Sequence, residues 1–197
     1  QVAMALDIAA SDFGRGGRYT LGLERRELDS DGLIELLLRW CDRFPIASIE
    51  DPLAEDDPVA FARFTAAVGQ RLQVVGDDFL VSDATLLRQA AAAGAANTVL
   101  LKPNQRGTLS ETLQCWQAAR DAGYAAIVSA RSGETEDTTI VDLAIGWQVG
   151  QLKVGSFARG ERMAKWNAVL RIEEAAGSAG RFAGACAFGC NTRRRAF

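Results

Sequence analysis

Six charged residues stand at comparable places along the chain, each at or near the end of a short apolar run. The first run carries Asp7. The second leads into Glu50 and Asp51, and the third into Asp77 and Asp78. The fourth ends at Lys102, the fifth leads to Arg131 and Ser132, and the sixth carries Lys153. From Asp7 through Glu50, Asp77, Lys102, Arg131 and Lys153 the spacings are 43, 27, 25, 29 and 22 residues. The signs segregate: three carboxylates come first, then three cations. Three carboxylates gathered at one place repel one another unless a cation sits among them. Oxygen-only ligands suit a hard ion such as Mg²⁺, which keeps some of its waters and bridges to substrate oxygens. The Lys and Arg group suits an anion, a phosphate or a carboxylate. A lysine among other cations in a desolvated pocket has a lowered pKa and can serve as a base. The pattern therefore points to proton abstraction from an anionic, metal-bound substrate. Histidine is absent, which removes imidazole acid–base chemistry, His-based triads and His-ligated zinc together.

The elements that must carry these residues are legible as an alternation. Apolar runs at Val2–Ile8, Ile46–Ile49, Leu72–Val75, Thr98–Leu101, Ala125–Val128 and Leu152–Val154 read as strands, most of them buried on both faces of a parallel sheet. Leu33, Leu36, Leu37 and Trp40 recur at helical spacing, as do Ile140, Leu143, Ala144 and Trp147. Asp57-Pro58 reads as an N-cap with proline at the first helical position. Thr108 and Glu111 form a capping box. The alanine-rich stretch from Ala84 to Ala93 ends at Gly94, a C-cap. Strand–helix–strand repetition predicts βαβ units and a parallel sheet. A doubly wound open sheet and a (β/α)₈ barrel both satisfy that pattern. The charges favour the barrel, because only there do all strand carboxyl ends converge on one face. The expected fold is an α/β, TIM-type barrel, incomplete at about six βα units.

Composition narrows the classes. With 22 basic against 25 acidic residues the net charge is −3, which argues against nucleic acid as a partner. No apolar run approaches the ~20 residues a membrane span needs, so no membrane partner is expected. Four cysteines without a CxxC pair fit a reducing, cytoplasmic setting. Cys186 and Cys190 alone fall short of a metal site. The start QVAMALDIAA lacks a basic n-region and reads as the interior of a strand, so a domain of a longer protein is expected. Several charged residues have plainer readings. Asp51-Pro52 reads as a turn, Asp78 as a residue that caps or orients its neighbour, and Glu55-Asp56-Asp57 as a helix start. Arg193-Arg194-Arg195 reads as a solvated tail, and Trp40, Trp116, Trp147 and Trp166 as packing residues.

The segments LDIAASDF (6–13), SIEDPLAEDD (48–57), VGDD (75–78), LLKPNQRGTLSET (100–112), SARSGETEDTTIVDLAIG (129–146) and LKVGSFARGERMAKWNAVLRIEEA (152–175) resemble the carboxyl-terminal barrel domain of the enolases. The resemblance covers residues 1–184 and leaves 185–197 as a tail. It implies Asp7, Glu50 and Asp77 as Mg²⁺ ligands, with Glu50 and Asp77 also facing substrate. It implies Lys102 as the general base. Ser129, Ala130, Arg131 and Ser132 would form the substrate loop, with Arg131 and Ser132 on the phosphate, and Lys153 would meet the substrate carboxylate. The implied reaction is dehydration of 2-phosphoglycerate to phosphoenolpyruvate by a cytoplasmic homo-oligomer, a dimer or higher. The enolase loop usually reads Ser-His-Arg-Ser, and here alanine stands at 130. That departure keeps two alternatives open: a relative acting on another phosphorylated or phosphonylated 2-hydroxy acid, or an enolase-like protein with a binding role.

Overall fold

The computed structural model describes residues 3–188. A six-stranded parallel sheet forms its centre, with strands β1 (Met4–Asp7), β5 (Ile46–Glu50), β6 (Gln73–Gly76), β7 (Thr98–Leu101), β8 (Ala125–Ser129) and β9 (Leu152–Lys153) in that spatial order. Each of the six runs read as strands overlaps one of these six strands, with bounds that differ by no more than two residues among the described residues. The interior strands β5, β6 and β7 are buried at every residue, as their unbroken apolar runs require. The edge strand β1 is more exposed. Helices α1 (Ser30–Arg43), α2 (Pro58–Val68), α3 (Ala84–Ala93), α4 (Pro103–Arg106), α5 (Leu109–Asp121), α6 (Thr139–Gly146) and α7 (Gly160–Ala176) follow or link the strands. The expected caps are present. The Asp57 carboxylate accepts from the Ala60 amide, Thr108 from the Glu111 amide, and Gly94 closes α3 in the left-handed conformation. Leu37, Ile49, Phe61, Phe64, Leu87 and Leu101 lie in one apolar core with no exposed surface.

The sheet is curled. Flat, six strands at about 4.8 Å each would hold the first and last roughly 24 Å apart. Yet the Lys153 ammonium on β9 lies 3.0 Å from an Asp7 carboxylate oxygen on β1. The two edges have been brought round toward each other, giving an incomplete barrel whose strand carboxyl ends share one rim. Between β1 and α1 lies a three-stranded antiparallel meander: β2 (Gly14–Arg15), β3 (Arg18–Leu21) and β4 (Arg26–Asp29). Sequence periodicity did not reveal it. Tyr19 pins it down from a fully buried position, its hydroxyl accepting the Ala54 amide at 3.1 Å. The boundary read at 184 falls on the first residue of a 3₁₀ turn, Gly184–Phe188. Cys186 is exposed, while Cys190 and Arg193–Arg195 lie outside the described residues.

Candidate functional site

The acidic side of the rim is built by register. Asp7 pairs with Glu50 across β1 and β5, so two neighbouring strands present their last residues side by side. The Lys153 ammonium bridges them: it donates to Asp7 Oδ2 at 3.0 Å and lies 2.8 Å from both Glu50 oxygens. Burial pushes the Glu50 carboxyl up to about 7; the ammonium of Lys153 opposes this, and the charges of Asp7 and Asp77 add to it. The Lys153 ammonium is itself desolvated, but the two carboxylates outweigh that and hold its pKa above the usual value.

Asp77 follows Gly76 at the end of β6, where a side chain would not fit. A Cβ there would stand 2.6 Å from Leu80 Cγ, and Leu80 is fully buried. The backbone beyond it is held by Asp51. The Asp51 side chain is 3% exposed and its two oxygens accept the amides of Asp77 at 2.9 Å and Asp78 at 2.8 Å. Asp51 adopts a left-handed φ of 40°, a conformation that aspartate tolerates better than most residues. Burial pushes its carboxyl up to about 7, against the pull of the two amides. The plain reading of Asp51-Pro52 as a turn thus understates Asp51, which is a brace between β5 and β6. One oxygen each from Asp51, Asp77 and Asp78 lie within 4.8 Å of one another, and among the described residues this is the acidic group close enough to share an ion; the expected set of Asp7, Glu50 and Asp77 is not drawn that close.

The cationic side begins at Lys102, which directly follows β7 and forms an ion pair with Asp77. Both side chains are nearly buried. The backbone under Lys102 is fixed by Ser82, whose hydroxyl accepts the Lys102 amide at 2.9 Å and also bonds Gln105 and the Leu100 carbonyl. Gln105 reaches on to Asp77 at 3.5 Å. Arg131 sits beyond β8, its guanidinium 3.3 Å from Asn104 of α4 and so next to the Lys102 turn. Ser132 is exposed, Ala130 is buried, and the Ser129 hydroxyl donates to the Ala130 carbonyl at 2.8 Å. The structure therefore joins Asp7, Glu50 and Lys153 directly, and Asp77 and Lys102 directly. Arg131 and Ser132 flank them without touching the carboxylates.

Sequence reasoning missed three contributors. Asp51 is one, and the others are Lys165 and Glu134. Lys165 is fully buried in α7 and pairs with Glu134 at 2.9 Å. A lysine in a helix rich in charge reads locally as solvated. A signal was available in Glu134, an acid close behind a strand end. The donor set of the rim fits a hard divalent cation: it consists of carboxylates alone, and two ammonium groups already occupy positions of positive charge among them.

Two comparisons bear on this arrangement. The family model described as "Enolase, C-terminal TIM barrel domain" matches residues 1–190. A relative named enolase, from Rubrobacter xylanophilus (strain DSM 9941 / JCM 11954 / NBRC 16129 / PRD-1), is 49% identical over 195 residues, covering 99% of this chain and 45% of its own length. The chain thus spans less than half of that relative. A curled parallel sheet with acids and cations at its carboxyl rim, matched along nearly its whole length by that model, belongs to the enolase carboxyl-terminal TIM-barrel domain family.

Proposed function

We propose that this domain carries the base, the metal ligands and the anion-binding loop of a lyase that dehydrates 2-phosphoglycerate to phosphoenolpyruvate. The observation that supports this most is the pairing of two lysines with three carboxylates at one barrel rim: Lys102 on Asp77, and Lys153 on Asp7 and Glu50. Asp7, Glu50 and Asp77 would hold Mg²⁺, which neutralises the charge that builds on a substrate carboxylate when the adjacent carbon loses its proton. Lys102 would take that proton at Nζ as the free amine, having given up its own proton once Asp77 leaves the ion pair for the metal, and the Ser82 bond to its amide fixes the backbone beneath it. Lys153, already between two carboxylates, meets the carboxylate of the substrate. Arg131 and Ser132 bind the phosphate, the planar guanidinium giving paired donors. The proton needed by the departing hydroxyl comes from a group outside this set.

Ala130 supports a second reading. It is a small, buried residue beside Arg131, and a side chain without polar atoms at that place suits a differently shaped 2-hydroxy acid, phosphorylated or phosphonylated. An ultraviolet assay separates the two. The full-length protein with Mg²⁺ should raise enol-phosphate absorbance from 2-phosphoglycerate, and Lys102→Ala should abolish it. Turnover of an altered substrate alone supports the second reading. Mg²⁺ binding without any turnover leaves a binding role.

A further inference from the structure

The backbone that presents Arg131 and Ser132 is anchored from α7. The Glu134 carboxylate splits its two oxygens. Oε1 accepts the Arg131 amide at 2.7 Å, and Oε2 pairs with the Lys165 ammonium at 2.9 Å. Lys165 has no exposed surface, and its ammonium also donates to the Thr135 carbonyl at 2.8 Å and the Glu161 carbonyl at 3.1 Å. Three acceptors satisfy its three N–H groups. One turn earlier on α7, the Arg162 guanidinium donates to the Ser132 carbonyl at 2.9 Å and to the Val154 carbonyl at 2.8 Å. Arg162 therefore ties the loop after β8 to the segment directly after Lys153. Backbone groups at 131, 132 and 135 are all held from beneath. The Ser132 side chain is exposed at the rim, and the Arg131 guanidinium rests on Asn104.

A buried lysine is costly unless its partners are in place, and removing one partner leaves the other charge stranded. The cluster holds a peptide rather than a second charged surface, and that peptide carries both anion-binding side chains. We propose that Glu134 and Lys165 are a positioning pair that presets the Arg131–Ser132 backbone for a phosphate group, with Arg162 as the tie to the Lys153 side of the rim. The inference rests on the reading of Arg131 and Ser132 as an anion loop. It adds residues that do not touch substrate but fix how tightly it is held. Preordering of this kind improves ground-state binding by lowering the ordering cost.

The test uses the full-length protein, with inorganic phosphate as a calorimetric probe and 2-phosphoglycerate as substrate. Lys165→Met leaves the Glu134 carboxylate without its anchor in α7, so Glu134 no longer fixes the Arg131 amide in place. Phosphate affinity should fall about tenfold and KM rise about tenfold with kcat within about threefold, the split expected when uniform binding is lost. A merely structural role would instead lower the folded fraction, reducing kcat at constant KM. The double variant Lys165→Met/Glu134→Gln should recover part of the phosphate affinity, because the amide oxygen can still accept from Arg131 without a stranded charge. Folded Lys165→Met with phosphate affinity and KM within twofold of the parent would overturn the proposal. Should Lys165→Met not fold, Arg162→Met cuts the ties to Ser132 and Val154 and leaves the Glu134–Lys165 pair in place. A loss of phosphate affinity supports the proposal and an unchanged affinity overturns it. Weakened phosphate binding in a protein that never turns over 2-phosphoglycerate keeps this inference and removes the proposed reaction. Unaltered phosphate binding with normal turnover does the reverse, and no phosphate binding by the parent removes both the anion loop and this inference.

Discussion

Replacing Asp51 by asparagine isolates the brace under Asp77. Asp51 accepts two backbone amides, at 2.9 and 2.8 Å, from a side chain that is almost wholly buried. Asparagine keeps one acceptor oxygen and turns an NH₂ group toward the other amide. A hydrogen bond to a charged group contributes about 1.5–3 kcal/mol, and an orphaned buried donor costs about 1–3 kcal/mol. Burial works in the opposite direction: it pushes the Asp51 carboxyl up to about 7, so a neutral amide is easier to bury than the anion. The expected balance is a loss of about 2 kcal/mol. With a urea slope of about 2 kcal/mol per M, the unfolding midpoint should fall by about 1 M. The melting temperature should fall by roughly 4–8 °C. Asp51→Ala removes both acceptors and should cost more, about 3–4 kcal/mol. Urea unfolding followed by circular dichroism measures all three proteins. An Asp51→Asn midpoint within about 0.2 M of the parent would refute the reasoning, since the two bonds would then return no more than the charge costs to bury.

Asp83 caps α3 by accepting the Thr85 and Leu86 amides and pairs with Arg106 at 2.8 Å. Asp83→Ala should cost about 1 kcal/mol at neutral pH. The Leu86 amide, helped by Thr85 and Arg106 and opposed by desolvation, holds the Asp83 carboxyl below its usual 3.8. Its stabilisation is thus present above that value and is lost as pH falls through the lower folded value. The parent and Asp83→Ala should therefore converge in urea midpoint as pH drops below about 4, and a constant difference down to about pH 2 would contradict this. Gly76→Ala places a Cβ 2.6 Å from Leu80 Cγ and should cost about 1–3 kcal/mol by overpacking. Leu80→Ala in the same chain should absorb part of that cost, so a double-mutant cycle should give a coupling of about 1 kcal/mol, and strict additivity would show that the contact is not the cause.

Much of this fold is legible because its interior strands are buried on both faces. Burial leaves no choice but an apolar run, and at β5, β6 and β7 the run ends where the polar rim begins. The caps at Asp57, Thr108 and Gly94 were equally legible, because each satisfies local backbone groups with local residues. The meander was not. Its strands hold two to four residues, Arg18-Tyr19-Thr20-Leu21 and Arg26-Glu27-Leu28-Asp29 among them, and at most one buried residue per strand gives too short an alternation to count. The site divides along the same line. Asp7, Glu50, Asp77, Lys102 and Lys153 stand at strand ends, so spacing alone finds them. Asp51 holds amides 26 and 27 residues away, and Glu134 and Lys165 find each other across 31 residues, so only the fold brings these partners within reach. Trp116 shows the same limit: it packs as expected, but its bond to the Trp147 carbonyl at 3.1 Å joins α5 to the end of α6.

The proposed function requires Asp7, Glu50 and Asp77 to share one divalent cation beside the Lys102 and Lys153 ammonium groups that now pair with them. Manganese, an oxygen-seeking stand-in for magnesium, scatters anomalously and can be located directly in crystals of the full-length protein. The account predicts one strong anomalous peak within ligand distance of carboxylate oxygens from all three acids, with Lys153 displaced from the Glu50 pair toward the open rim. A peak held by Asp51 and Asp78 in place of Asp7 and Glu50, or Lys153 still seated on Glu50 beside a metal bound elsewhere, would contradict it.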